Sequence, residues 1–123
     1  MVLLTMNKQK RLLFLNYVQR VTPQELEVGR PEMEAALAEM PADFHLLADL
    51  SLLESMDPEC TTELGRIMEM IAKHGVGLIV RVVPDASKDI GLNILTIFHY
   101  PRQPRVINCE TLAEALQKLA QWS

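Results

Sequence analysis

The sequence predicts an α/β layer fold with a mixed, mostly parallel sheet of four to five strands and about four helices. Two observations carry that expectation. Short β-branched and leucine-rich runs alternate with amphipathic stretches at helical spacing, and most of the stretches open on a recognisable cap and close on Gly or Pro. The connections between the later strands are long enough to hold a helix, which implies parallel βαβ units rather than hairpins.

Residues 2–5 form a short apolar strand, residues 7–10 (Asn-Lys-Gln-Lys) a polar turn, and residues 11–21 a second strand. In that second strand Leu13, Leu15 and Tyr17 point one way while Phe14, Asn16 and Val18 point the other. Thr22-Pro23-Gln24-Glu25 starts a helix: Thr22 caps, Pro23 suits the first position, and Glu25 is the capping-box partner that reaches back. Leu26, Met33, Leu37 and Met40 line one face. Gly29 and Pro31 break the run, so a kink or a restart is expected near residue 30, and Pro41-Ala42-Asp43 ends the helix.

Residues 44–50 read as a buried strand. Asp57-Pro58-Glu59 opens the next helix, with Asp57 as N-cap and Pro58 at N1, and Cys60, Leu64, Ile67 and Ile71 form its core stripe. Gly75 is its left-handed cap. Residues 76–83 are the clearest strand in the chain. Pro84-Asp85-Ala86 then breaks it, Ser87 caps a helix to about Tyr100, and residues 104–109 make a fifth strand. Thr111-Leu112-Ala113-Glu114 is a second capping box, and its helix should turn Leu112, Ala115, Leu116 and Leu119 inward.

Composition bounds the function. The chain has 123 residues, 49% hydrophobic and 23% charged, which is one ordinary globular domain, residues 1–123, without linker or repeat. A net charge of −4 argues against a nucleic-acid binder, which would carry a basic stripe. Two cysteines, Cys60 and Cys109, suit a reducing compartment, and no apolar run approaches the roughly 18 residues of a membrane span. A cytoplasmic location is expected. His45, His74 and His99 are scattered without metal-ligand spacing, and no nucleophile elbow or phosphate-binding glycine loop occurs. The expectation is no metal, no cofactor and no enzymatic activity.

Residues 44–120 resemble the STAS domain, the sulfate-transporter and anti-sigma-factor-antagonist fold. The resemblance rests on Ala48-Asp49-Leu50-Ser51 on a strand, Ser55-Met56-Asp57 at the start of a helix, and the closing Cys109-Glu110-Thr111-Leu112-Ala113-Glu114-Ala115-Leu116. The front segment, residues 21–26 with Pro31 following, is similar to the SpoIIAA-like branch of largely uncharacterised proteins. That resemblance implies a regulatory or scaffold module that binds a protein partner of kinase or sigma-regulator type.

One departure stands out. Antagonists of this family carry Asp-Ser-Ser-Gly or a close variant at the helix start, and a partner kinase phosphorylates the hydroxyl after the Asp. Here the segment reads Asp57-Pro58-Glu59-Cys60, so the acceptor position is Pro58. Glu59 brings one negative charge to the helix start, against about 1.5 to 2 for a phosphoserine. Thr61 and Thr62 are hydroxyls about one turn later, where a displaced phosphosite is the alternative.

The partner-docking helix start is therefore Asp57, Pro58, Glu59, Cys60 and Thr61. Cys60 also lies on the apolar stripe, which favours a buried thiol. A second candidate surface is the helix of residues 87–100, where Asp89, Asn93, Thr96 and Tyr100 make a narrow polar stripe and the rest is apolar. Leu92, Leu95, Ile97, Phe98 and Tyr100 form its candidate apolar interface, with self-association as a homodimer the expected outcome. Asp49 and Asp85 mark a candidate ligand edge at strand ends. The alternative function is a small-molecule carrier or sensor for a lipid or nucleotide, of STAS or SEC14-like type, with the apolar helix lining its pocket.

Overall fold

A computed structural model describes residues 1–83 and 105–122. Five strands form one sheet in the order β1 (Val2–Asn7), β2 (Leu12–Val21), β3 (His45–Met56), β4 (Leu78–Val82), β5 (Arg105–Cys109). β1 and β2 are antiparallel, and the three remaining pairings are parallel. Helix α1 (Pro23–Glu39) joins β2 to β3, α2 (Cys60–Lys73) joins β3 to β4, and α3 (Leu112–Trp122) follows β5. The sheet is thus mixed and mostly parallel, with three helices among the described residues. The helix expected over residues 87–100 lies outside them, and with it Asp85, Leu92, Leu95, Ile97, Phe98 and Tyr100.

Strand alternation divides the core between the two faces of the sheet. Leu13, Leu15 and Tyr17 of β2 and Leu46, Ala48 and Leu50 of β3 pack with Leu26, Met33 and Leu37 of α1 and Leu64, Ile67 and Ile71 of α2. Leu47, Leu78, Val80 and Val82 lie in a second cluster with Cys109 and with Ala115 and Leu119 of α3. Every residue of β4 is buried, as a central parallel strand covered on both faces requires.

Several caps fall where the residues place them. The Thr22 hydroxyl accepts from the Glu25 amide at 3.3 Å, and the Thr111 hydroxyl accepts from the Glu114 amide at 3.1 Å. Gly75 closes α2 with φ of 82°, the left-handed cap. The reciprocal halves of both capping boxes differ from expectation. Glu25 pairs with the Met1 ammonium at 2.9 Å instead of its own helix start, and Glu114 accepts from the Glu110 amide, one residue before the cap.

Of the kink or restart expected near residue 30, the restart does not occur: α1 runs through Gly29 and Pro31 as one helix, because one lost amide donor is outweighed by the buried face of Leu26, Met33, Ala36 and Leu37. Two further expectations are corrected. The strand expected to end at residue 50 continues to Met56, so Ser55 and Met56 lie on β3 and not at a helix start. Leu112 and Leu116 do not turn inward: they are 37% and 49% exposed, because α3 seats only the narrow strip of Ala115 and Leu119 against the sheet.

Candidate site at the start of the second helix

The four parallel strands end along one edge, and α1 and α2 both begin there. In open α/β sheets this edge is where ligands and partners are met. β3 overshoots β4, so its last residues pair with β2 alone. Two register shifts, between Asn16 and Val18 and between Gln19 and Arg20, each place an extra β3 residue opposite β2. They bring the end of β3 beside Val21, where the Asp57 amide donates to the Val21 carbonyl at 3.3 Å.

Asp57 does not cap α2. Its carboxylate is held by Arg20, whose Nε and Nη2 lie 3.2 and 3.1 Å from Oδ1 and whose Nη2 is also 3.1 Å from Oδ2. Pro58 and Glu59 form a tight turn: the Cys60 amide donates to Asp57 O at 2.9 Å, the Thr61 amide to Pro58 O at 3.2 Å, and the helix proper starts at Cys60. A guanidinium with a fixed fork outcompetes weakly placed amides for the carboxylate, which is why the expected cap fails. Pro58 and Glu59 are exposed, and Thr61 is exposed with its hydroxyl donating to Pro58 O at 2.7 Å. An exposed turn is thereby fixed from both sides, by Arg20 on Asp57 and by Thr61 on Pro58.

Cys60 separates from the other four residues. It is 1% exposed, its thiol faces the Val21 carbonyl at 3.6 Å, and burial, with the nearby Asp57 charge, pushes its pKa up to about 11. It anchors the helix start to β2 and presents nothing to a partner. Burial likewise raises the Cys109 thiol.

Asp49 is not at a strand end. It lies within β3, 3% exposed, in register with Asn16 on one side and Val82 on the other, and its Oδ1 accepts from the Ser51 amide at 2.9 Å. That local bond supports the bulged backbone where the register first shifts. Asp49 and the Asp57 turn are separate features, eight residues apart in the chain. Among the described residues no group of His, Cys, Asp or Glu could hold a metal ion, and no helix is long and apolar enough to cross a membrane.

Arg20 escaped the sequence reading, although a lone basic residue at the end of an apolar strand was its visible trace. A second missed feature is a cleft of about 310 Å³ between β1 and α1, lined in part by Leu4, Leu15, Leu26, Met33 and Gly29.

No family model matches the chain, and no curated protein does. Solved structures do. Unphosphorylated SpoIIAA, an anti-sigma factor antagonist, aligns with a TM-score of 0.64 at 16% identity, over 98% of this chain and 98% of its own. An uncharacterised Shewanella loihica protein of the DUF3478 family, with a SpoIIAA-like fold, aligns at 0.67 and 16% identity, over 97% and 92% of the two chains. The phosphorylated form of the Bacillus cell-fate determinant SpoIIAA aligns at 0.59 and 16% identity, over 97% and 99%. This chain therefore has the SpoIIAA-like STAS fold.

Proposed function

We propose that this chain is a non-enzymatic regulatory or scaffold module that docks a protein partner through Asp57, Pro58, Glu59 and Thr61. The observation that carries the proposal is the Arg20 clamp on Asp57, which holds an exposed, acidic turn in one conformation at the edge where the parallel strands end. A pre-ordered turn binds without the entropy cost of ordering it in the complex.

The position that the STAS resemblance assigns to the phosphorylated hydroxyl is Pro58, which has none. SpoIIAA exists in unphosphorylated and phosphorylated forms. In this chain Asp57 and Glu59 supply the acidic charge of the docking turn in place of a phosphoserine at position 58, which leaves a fixed binding state or control by something other than phosphorylation there. Self-association through Leu92, Leu95, Ile97, Phe98 and Tyr100 and a cytoplasmic location belong to the same proposal and rest on sequence. The small-molecule alternative rests on residues 87–100, outside the described part of the fold.

Photo-crosslinking in the native cell tests the docking surface. A photoreactive residue in place of Glu59 should trap a discrete partner of kinase or sigma-regulator type, while one in place of the exposed Gln117 on α3 should not. Equal yields from both positions, or none from Glu59, would remove the helix start as the docking site.

A further inference from the structure

We infer that the cleft between β1 and α1 is a second docking site, for a basic segment of a protein partner that inserts one large apolar side chain. It involves none of the helix-start residues and stands independently of that reading.

The cleft is apolar at its floor, and among the described residues no Lys or Arg side chain lines it. Its charged groups are the carboxylates of Glu25 and Glu32 and the ammonium of Met1. Beyond the rim Glu39 of α1 is paired with Lys8 at 3.4 Å, and the exposed Glu27 and Glu34 lie on the side of the helix turned away from the cleft, Glu34 in a groove shared with Arg30, Arg66 and Lys73. Arg30 is engaged elsewhere, with its Nη1 3.3 Å from Glu63 Oε2 on α2. Because the Met1 ammonium is paired with Glu25, Glu32 is the lining carboxylate outside an ion pair among the described residues, and the net negative charge it leaves is the complement of a Lys or Arg beside an apolar anchor.

Gly29 supplies an independent observation. Glycine inside a helix costs about 1 kcal/mol relative to alanine. Its φ is not positive, and a Cβ built on it meets nothing within 4 Å, so packing within the chain does not require it. Its bare backbone forms part of the cleft wall. Val28, beside it on the rim, is 79% exposed, a large apolar side chain left without cover.

The size selects the occupant. At about 310 Å³ the cleft lies at the floor of the range for small-molecule pockets, about 300 to 1,000 Å³, and suits one inserted side chain better than a whole ligand. A second copy of this chain, net charge −4, would bring a further acidic α1 toward the first.

A random-peptide phage library panned on the full chain tests the site, with Gly29→Leu, Glu32→Lys and Glu59→Arg as comparisons. Peptides recovered on the wild type should share a large apolar residue flanked by Lys or Arg. They should bind Gly29→Leu about tenfold or more weakly and Glu32→Lys several-fold more weakly, while Glu59→Arg binds them unchanged. Gly29→Leu should melt no lower than wild type, since it replaces a helical glycine in open space. Selected peptides that are acidic or uncharged, or that ignore Gly29→Leu, would overturn the proposal. So would a wild-type dimer that Gly29→Leu dissociates, or 1-octanol shifting the Val28 methyl resonances when no peptide binds.

Discussion

Arg20 and Asp57 lie 37 residues apart in the chain, and the guanidinium of Arg20 contacts both carboxylate oxygens of Asp57, with Nη2 3.1 Å from each. The pair joins the end of β2 to the turn that starts α2, and it sets the shape of the exposed segment between Asp57 and Thr61. Because the Arg20 side chain is 67% exposed, the bond contributes little to global stability and much to local order.

Arg20→Ala should therefore lower unfolding free energy by only about 0.5 to 1 kcal/mol. The local effect is larger: amides of residues 57–61 should exchange faster with solvent while those of β4 keep their protection. A denaturant titration and a hydrogen-exchange experiment read the two effects separately. Equal loss of protection throughout the sheet would mean that the pair supports the fold and not the turn.

The Cys60 thiol gives a pH signature. Its pKa is raised from 9.0 to about 11 by burial first and by Asp57 second, so the folded state keeps its proton where the unfolded chain loses it. This contribution is full below pH 9 and is lost as pH rises from 9 toward 11. Between those values wild type should lose stability faster than Cys60→Ala, although the variant is less stable at pH 7. At pH 8 an alkylating reagent should leave Cys60 unmodified in the folded protein. Parallel stability curves for the two proteins above pH 9 would contradict the shift.

Two glycines should respond in opposite directions. Gly75→Ala forces a Cβ into the left-handed region at φ of 82°, with a cost of about 1 to 2 kcal/mol. Gly29→Ala places a methyl where nothing lies within 4 Å and should gain up to about 1 kcal/mol. Thermal melts of the two variants beside wild type check both signs.

Glu63 ties α1 to α2. It is 9% exposed and accepts from Arg30 at 3.3 Å and from Arg66 at 2.9 Å. Glu63→Ala leaves Arg30, itself only partly exposed, without its partner and should cost about 1 to 3 kcal/mol. Arg66→Ala should cost less than 1 kcal/mol, since that side chain is 55% exposed. Urea titrations of both variants make the comparison, and a larger loss from Arg66→Ala would reverse the assignment.

What the sequence made legible was local. Thr22, Thr111 and Gly75 act through atoms within a few residues of themselves, and the alternation of Leu13, Leu15 and Tyr17 needs only the pleat of one strand. The failures came where a distant group competed. Asp57 reads as a cap until the β2–β3 register places Arg20 beside it, and that register depends on two bulges with no local signature. Glu25 reads as a capping-box partner until the β1 hairpin delivers the Met1 ammonium. Leu116 is inward by periodicity alone, but α3 touches the sheet through too narrow a strip to cover it. Of the residues proposed for docking, Pro58, Glu59 and Thr61 are exposed, whereas Cys60 belongs to the core. The cleft had a trace in Gly29, which reads as a helix breaker when its neighbours in space are unknown.

The most direct measurement is affinity capture from native lysate with the wild-type chain and Glu59→Arg as paired baits, identified by mass spectrometry. The substitution reverses a charge on an exposed side chain and leaves the core face of α2 untouched, so both baits should show the same melting temperature. Docking through the helix start predicts a kinase or sigma-regulator type protein on the wild type that is absent from Glu59→Arg. The same partner recovered equally on both baits, or neither bait retaining anything but itself, would contradict it.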